Sequence, residues 1–457
     1  MKFPTWPNPL DYHNIKLGLD RVYELLERVG SPHKLLPPTI HVAGTNGKGS
    51  TIAFLDSIFT EANYKVHRYT SPHLVEFNER IILAGKEIDD EFLEDLLDEC
   101  RYAANKHPKV EVTSFEGTTV AAFLAFSKVK ADILLLETGM GGRLDATNVI
   151  ENVLLSIITP ISIDHAEFLG KTIEDIAFEK AGIIKNASLV IVGKQEKSAL
   201  EVIEKQAAKT KSRIYSFNHK FTAKEQIDSN NMIFEMNHIR MTLPLPFLIG
   251  KHQIENAGMA IAATILMQKY FKISNKNIGN GIVNAYWPAR LEPILSGYLF
   301  DLLPSNYDLF LDGGHNEGGA KIISNWINNN KIEDRKIGKK RIPHYLICGM
   351  LQDKDSESFL KYLAGSVDFL VGIPIEGESK SKTGYQIAKI ASGVGIKSVD
   401  AEEFMDAFEY IRAIHDGEEI KQNTIIKSLF YKKPKQKARI IICGSLYLAG
   451  QFISKNN

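Results

Sequence analysis

"HVAGTNGKGST", His41 to Thr51, is the stretch whose reading decides the fold. The common phosphate loop reads G-x-x-x-x-G-K-[ST], with the hydroxyl directly after the lysine. Here Gly49 separates Lys48 from Ser50, and Gly44 lies too near to be the usual first glycine. The setting is still that of a phosphate loop: "TIHVAG" reads as a short buried strand, and Lys48 to about Ala62 as the helix after it. Glycines let backbone amides close on an anion, and a helix start adds the positive end of its dipole. Lys48 would then offset phosphate charge, with Ser50 or Thr51 in reach of a magnesium ion. The competing reading is a glycine-rich turn carrying a solvated lysine.

Working outward, Ile15, Leu19, Val22, Leu25, Leu26 and Val29 fall at helical spacing and stop at Gly30. "KVHRY" is strand-like, while Asp90 to Lys106 and Phe115 to Lys128 read as helices. "ADILLLE" (131–137) and "VLLSIIT" (153–159) are apolar enough for central parallel strands buried on both faces. Thr172 to Lys180 reads as a helix and "SLVIVG" as a strand, so the alternation implies a doubly wound α/β sheet. Residues 211–248 break the rhythm and predict a small antiparallel β insert on the sheet edge, followed by the small-residue helix "HQIENAGMAIAATILMQKY". A second alternation starts near Asp308 and predicts a smaller Rossmann-like α/β domain. The boundaries expected are 1–294 and 295–457.

Carboxylates and histidines cluster where these strands end, which is where ligands gather in open parallel sheets. Glu137 ends one strand; Asp164 and His165 follow the next. Glu179 and Lys180 read as a surface ion pair, and Arg143 and Asp145 as a pair with each other. Arg290, in "WPARLE", and Asp312, His315 and Asn316, in "LDGGHN", straddle the apparent domain boundary.

The bulk properties exclude several classes. Lysine plus arginine equals aspartate plus glutamate at 55 each, which argues against nonspecific nucleic-acid binding. The basic stretches "RKIGKKR" (335–341) and "YKKPKQKAR" (431–439) read as solvated loops. Cys100, Cys348 and Cys443 are too dispersed for a disulfide framework or a zinc site. No apolar run approaches membrane-spanning length and the first residues resemble no secretory signal, so the cytoplasm is expected.

Together, "HVAGTNGKGST", "YTSPHL", "FNERI", "LETGMGGRLDATN", "IDHAEFLGKTIEDIAFEKAGI", "WPARLE", "LDGGHN" and "ICGSLYL" resemble the folylpolyglutamate synthase/dihydrofolate synthase family, a branch of the Mur-type ATP-dependent amide ligases. The resemblance covers nearly the whole chain and makes the shifted lysine–glycine–serine that family's own form of the loop. It implies a Mur-ligase-like P-loop domain with a C-terminal Rossmann-like domain. It also implies a reaction: ATP converts a carboxylate to an acyl phosphate, which the amine of L-glutamate attacks, with dihydropteroate, a reduced folate, or both as acceptor.

By the same resemblance, Gly44, Thr45, Asn46, Gly47, Lys48, Gly49, Ser50, Thr51, Asn256, Arg290 and Asp312 would bind ATP. Ser50, Ser71, Glu137 and His165 would hold two magnesium ions. Lys48, His165, Lys180, Arg290 and His315 would be catalytic, with Lys180 carbamylated as in relatives, and Arg143 and Asp145 would meet the folate. ATP would bridge the two lobes, and the chain would act as a monomer. Ala289 and Gly314 depart from the residues common in the family without removing a functional side chain; Thr138 and Met140 also depart, in the loop near the expected pterin site, where they bear on substrate preference and not on the reaction class. A cell-wall Mur ligase would need a nucleotide-sugar domain ahead of the loop, which begins here only some 40 residues in. A nucleotide-regulated binding protein need not keep His165, Arg290 and His315.

Overall fold

The computed structural model describes residues 4–7, 17–227, 229–336, 338, 341–417, 419–421, 424–426 and 436–457. Ile15, residues 431–435 of the second basic stretch, and 337, 339 and 340 of the first lie outside the described residues. The chain divides into two compact units, Met1–Trp287 and Pro288–Asn457.

In the first unit, eight strands form one sheet: β1 (Thr39–Ala43), β2 (Val66–Tyr69), β3 (Ile81–Leu83), β4 (Lys86–Glu87), β5 (Ile133–Glu137), β6 (Val153–Ile158), β7 (Leu189–Val192) and β8 (Arg213–Ser216). Their order is β4-β3-β2-β5-β1-β6-β7-β8. The core from β2 to β8 is parallel, and β3 and β4 add an antiparallel edge. Strands β1 and β5 are buried at every residue, because helices cover both faces.

On the faces lie α1 (Asp20–Arg28), α2 (Lys48–Glu61), α3 (Asp90–Asn105), α4 (Ser114–Lys128), α5 (Ala166–Leu169), α6 (Ile173–Ala181), α7 (Lys197–Lys209), α8 (Lys251–Leu266) and α9 (Asn275–Asn284). Helices α2, α8 and α9 share one core with Ile40, Val42, Ile133 and Leu135; α1, α3 and α4 share another with Leu134 and Leu136. Alternate strand residues thus feed opposite cores, and each fully buried Leu, Ile or Phe contributes about 1.5–3 kcal/mol.

The β-rich stretch needs a correction. Residues 213–216 form β8, a parallel strand of the main sheet, and only β9 (Phe221–Glu225), β10 (Asn231–Met236) and β11 (Ile239–Pro244) make the separate antiparallel sheet. That sheet packs on α8, where a Cβ on Gly258 would come within 2.6 Å of Ala223 Cβ. Small residues in α8 are what let the two layers approach.

The second unit holds β12 (Glu292–Ile294), β13 (Tyr307–Leu311), β14 (His344–Cys348), β15 (Phe369–Gly372), β16 (Ser398–Asp400), a hairpin of β17 (Glu419–Lys421) and β18 (Thr424–Ile426), and β19 (Ala438–Cys443). Its main sheet runs β12-β13-β19-β14-β15-β16, parallel except for β12. The short β12 was not apparent in the sequence, since three residues carry no periodicity. All three cysteines are buried and free. Among the described residues, no helix is long and apolar enough to cross a membrane.

Candidate active site

The phosphate-loop stretch joins β1 to α2 at the carboxyl edge of the first sheet. Gly47 sits at the helix N-cap with φ 88°, and no side chain caps that end. That left-handed backbone is what requires glycine there, and a Cβ would also press on Asn256 Oδ1 at 2.6 Å. The extra glycine of this loop also has a cause: a Cβ on Gly49 would lie 2.8 Å from the Trp287 ring.

The loop is fastened to the segment after β6. Thr45 and Asn46 both donate backbone N–H groups to Pro160 O at 3.1 Å, and Asn46 Nδ2 donates to Ser162 Oγ at 3.0 Å. Thr45 Oγ1 donates to Ser162 O at 3.0 Å. Lys48 Nζ curls back to donate to Gly44 O at 3.2 Å and Thr45 O at 3.4 Å, and stands 3.7 Å from Glu137 Oε1. Glu137, buried at the end of β5, also accepts Ser71 N–H at 3.3 Å. Ser50 Oγ accepts from Gln253 Nε2 at 3.3 Å, and Gln253 in turn accepts from Asn256 Nδ2 at 3.0 Å. Gln253 had no sequence signal beyond its place three residues before Asn256. Thr51 Oγ1 is buried with no partner, on the second turn's start of α2.

Two sequence pairings are corrected. Lys180 does not pair with Glu179; its Nζ enters the site and donates to Gly44 O at 2.9 Å. Burial, and then the neighbouring Lys48 ammonium, push its pKa down to about 7, against the pull of Asp164 and Asp145. Arg143 does not pair with Asp145; its guanidinium donates to Glu179 Oε1 at 2.8 Å and lies 5.5 Å over Phe178. Asp145 is buried and accepts Met140 N–H at 2.8 Å and Thr147 N–H at 3.0 Å; burial raises its pKa against these bonds. Charge attraction in sequence cannot say which partner the fold brings nearer.

His165 caps α5 with φ 51°, its backbone N–H donating to Asp164 Oδ1 at 3.0 Å and its Nε2 standing 3.9 Å from that oxygen. Among the described residues, no three His, Cys, Asp or Glu side chains converge as a ready metal cage.

In the second unit, Asp312 follows β13 and accepts Leu291 N–H at 2.9 Å and Gly314 N–H at 2.7 Å. Burial raises its pKa and the nearby Arg290 opposes that. His315 Nδ1 donates to Gly313 O at 2.9 Å. Ala289 adopts a left-handed backbone with φ 55°.

Residues 42–264 match the Mur ligase middle domain, and 298–455 match the dihydrofolate synthetase C-terminal domain. The dihydrofolate synthase/folylpolyglutamate synthase of Bacillus subtilis is 36% identical over 363 residues, 76% of this chain and 79% of that protein. The chain belongs to the dihydrofolate synthase/folylpolyglutamate synthase family. Within this family, the dihydrofolate synthetase of Saccharomyces cerevisiae is 29% identical over 97% of this chain and 98% of its own. Among solved structures, E. coli FolC in complex with DHPP and ADP is 28% identical with a TM-score of 0.79, covering 97% of this chain and 94% of that one.

Proposed function

We propose that the chain is an ATP-dependent ligase that joins L-glutamate to dihydropteroate, to folylpolyglutamate, or to both, through an acyl phosphate. One observation carries this reading. In a chain of this family, Lys48, Glu137 and Lys180 meet around the carbonyls of the shifted phosphate loop. A carboxylate is a poor electrophile because its charge repels an amine and oxide is a hopeless leaving group. Phosphorylation removes both obstacles, so the site's work is positioning and screening of phosphate charge.

The first unit would supply the ATP cradle: Gly44 to Thr51 with the uncapped start of α2, and Asn256 behind it. Lys48 Nζ would shift from its loop carbonyls to the phosphates. The unpartnered Thr51 hydroxyl suits such an anion. The residues fit a divalent cation. Ser50, Ser71, Glu137 and His165 would hold two magnesium ions, and magnesium keeps waters and phosphate oxygens as ligands, so a full protein cage is not required. Bound cations would neutralise charge on the phosphoryl oxygens. A similar enzyme from Yersinia pestis is complexed with AMPPNP and Mn, and another similar bifunctional folylpolyglutamate synthase/dihydrofolate synthase has Mn, AMPPNP and L-glutamate bound.

A lysine near pKa 7 is substantially neutral, the form that reacts with carbon dioxide, which supports carbamylation of Lys180. Arg143 and Asp145 are assigned to the folate. Asp145 does so by shaping the loop as much as by contact, since its oxygens hold loop amides. His165, Arg290 and His315 are assigned catalytic roles, and Arg290 and Asp312 roles toward ATP. Residues 1–294 would serve as the ATP-binding Mur-type domain and 295–457 as the glutamate-ligase domain. The partners are small molecules, and the protein acts as a cytoplasmic monomer. Relatives matched over nearly their full length include dihydrofolate synthetases and a bifunctional folylpolyglutamate synthase/dihydrofolate synthase, which supports both acceptors.

The test is phosphate release by the purified chain with ATP. It is expected to require both L-glutamate and a pteroate- or folate-type acceptor. Glutamate-dependent turnover with a muramyl acceptor instead, or hydrolysis indifferent to glutamate, overturns the reading. Dihydropteroate and tetrahydrofolate run in competition decide between the acceptors.

A further inference from the structure

Asn148 has none of the roles assigned above, and it is buried in the first unit. Its side-chain Nδ2 donates to two carbonyls from separate segments: Arg143 O at 3.1 Å and Gly182 O at 3.1 Å, the latter at the C-cap of α6. Two acceptors around one atom fix which end of the amide is nitrogen, since the flipped form would press an oxygen against two carbonyl oxygens. The remaining Oδ1 is buried without a partner. An unpaired buried acceptor is unfavourable, so what this side chain gives the fold is the pair of donors on Nδ2.

The bridge is part of a seam. Arg143 N donates to Glu179 O at 2.7 Å, and Lys185 Nζ donates to Asn148 O at 2.9 Å. Two glycines let the segments touch: a Cβ on Gly142 would meet Lys180 O at 2.9 Å, and one on Gly182 would meet Arg143 Cα at 2.5 Å. The other end of α6 is fixed separately, by the Thr172–Asp175 capping box. The seam therefore closes on the helix turn that carries Lys180, whose Nζ reaches Gly44 O in the phosphate loop.

We propose that Asn148 is a positioning residue for the ligase reaction, bridging the Arg143 and Gly182 carbonyls to hold the end of α6 in the register that delivers Lys180 to the phosphate loop. The proposal rests on the reading of Lys180 as part of the catalytic group. No other side chain offers two donors at this reach: aspartate has none, serine has one on a shorter stem, and glutamine is a methylene too long.

The experiment uses the full chain carrying Asn148→Asp or Asn148→Ser. One readout is steady-state phosphate release with ATP, L-glutamate and dihydropteroate. The other is competitive acetylation of lysines by acetic anhydride, read by peptide mass spectrometry as Lys180 relative to the exposed Lys194. Asn148→Asp is expected to lower kcat about tenfold or more with the KM for ATP within about threefold, because the catalytic group is displaced and not lost. Lys180 labelling should rise about fivefold as the seam opens locally, with Asn148→Ser between Asp and wild type on both readouts. If the aspartate variant does not fold, the serine variant carries the test alone. A folded variant with unchanged Lys180 labelling, or with kcat within about twofold of wild type, overturns the proposal. The labelling needs no turnover, so a wild-type protein lacking glutamate-dependent phosphate release would sink the ligase reading while still deciding whether Asn148 places Lys180.

Discussion

Glu137 and Asp312 are both acids at the end of a parallel strand, one in each unit, each with a basic side chain nearby. Their surroundings differ. Glu137 takes a backbone N–H at 3.3 Å and stands 3.7 Å from the Lys48 ammonium. Asp312 accepts two backbone N–H groups at 2.7 and 2.9 Å, which tie the "LDGGHN" turn to Leu291. Short bonds from fixed amides make a carboxylate part of the scaffold, whereas long contacts to a flexible lysine leave it able to exchange partners. The same strand-end position thus leaves a carboxylate loosely held in the first unit and tied into its turn in the second.

The sharpest way to break that contrast is at the first site. Lys48→Ala should lower turnover at saturating glutamate about a hundredfold or more, because a lost charge clamp weakens transition-state stabilisation by several kcal/mol. Its thermal melt should stay near wild type. Steady-state kinetics and calorimetry together decide, and near-normal turnover would remove the loop from the mechanism. Next, Asp312→Asn should destabilise the second unit by about 2–4 kcal/mol, since one of the two amides loses its acceptor and the Arg290 charge loses its counterpart. Denaturant titration reads this, and full stability with lost activity would place Asp312 with Glu137.

The smallest effect is linked to pH. The pKa of Lys180 is depressed in the fold from 10.5 to about 7, so the unfolded chain binds more protons between those values. This group's contribution to stability therefore rises with pH from about 7 toward 10.5 and is most unfavourable below 7. Lys180→Met should accordingly melt a few degrees above the wild type near pH 6.5, with the gap closing as pH rises. A gap independent of pH would mean that Lys180 is held charged, or already carbamylated.

Much of this could be read from the chain. The apolar runs 131–137 and 153–159 became central strands, and the glycine, lysine and hydroxyl residues after β1 became the turn that opens α2. Local composition suffices there, because burial on both faces and tight turns each demand particular residue types. Pairings were less legible. Arg143 faced several nearby acids in sequence, and Glu179 won because Gly142 and Gly182 let their backbones touch. The three-residue β12 and the assignment of residues 213–216 to the main sheet were invisible, since so short a segment carries no period and its neighbour is set by the sheet edge it meets.

The sequence by itself determined the alternation of strands and helices, the family, and the residue types at the strand ends. Only the tertiary structure decided that Lys180 turns inward to Gly44, that Gly49 is needed against Trp287, and that Asn148 joins two segments. The physical reason is that propensity and periodicity are local, while a long side chain's partner depends on which distant backbone the packed core brings within about 3 Å of it.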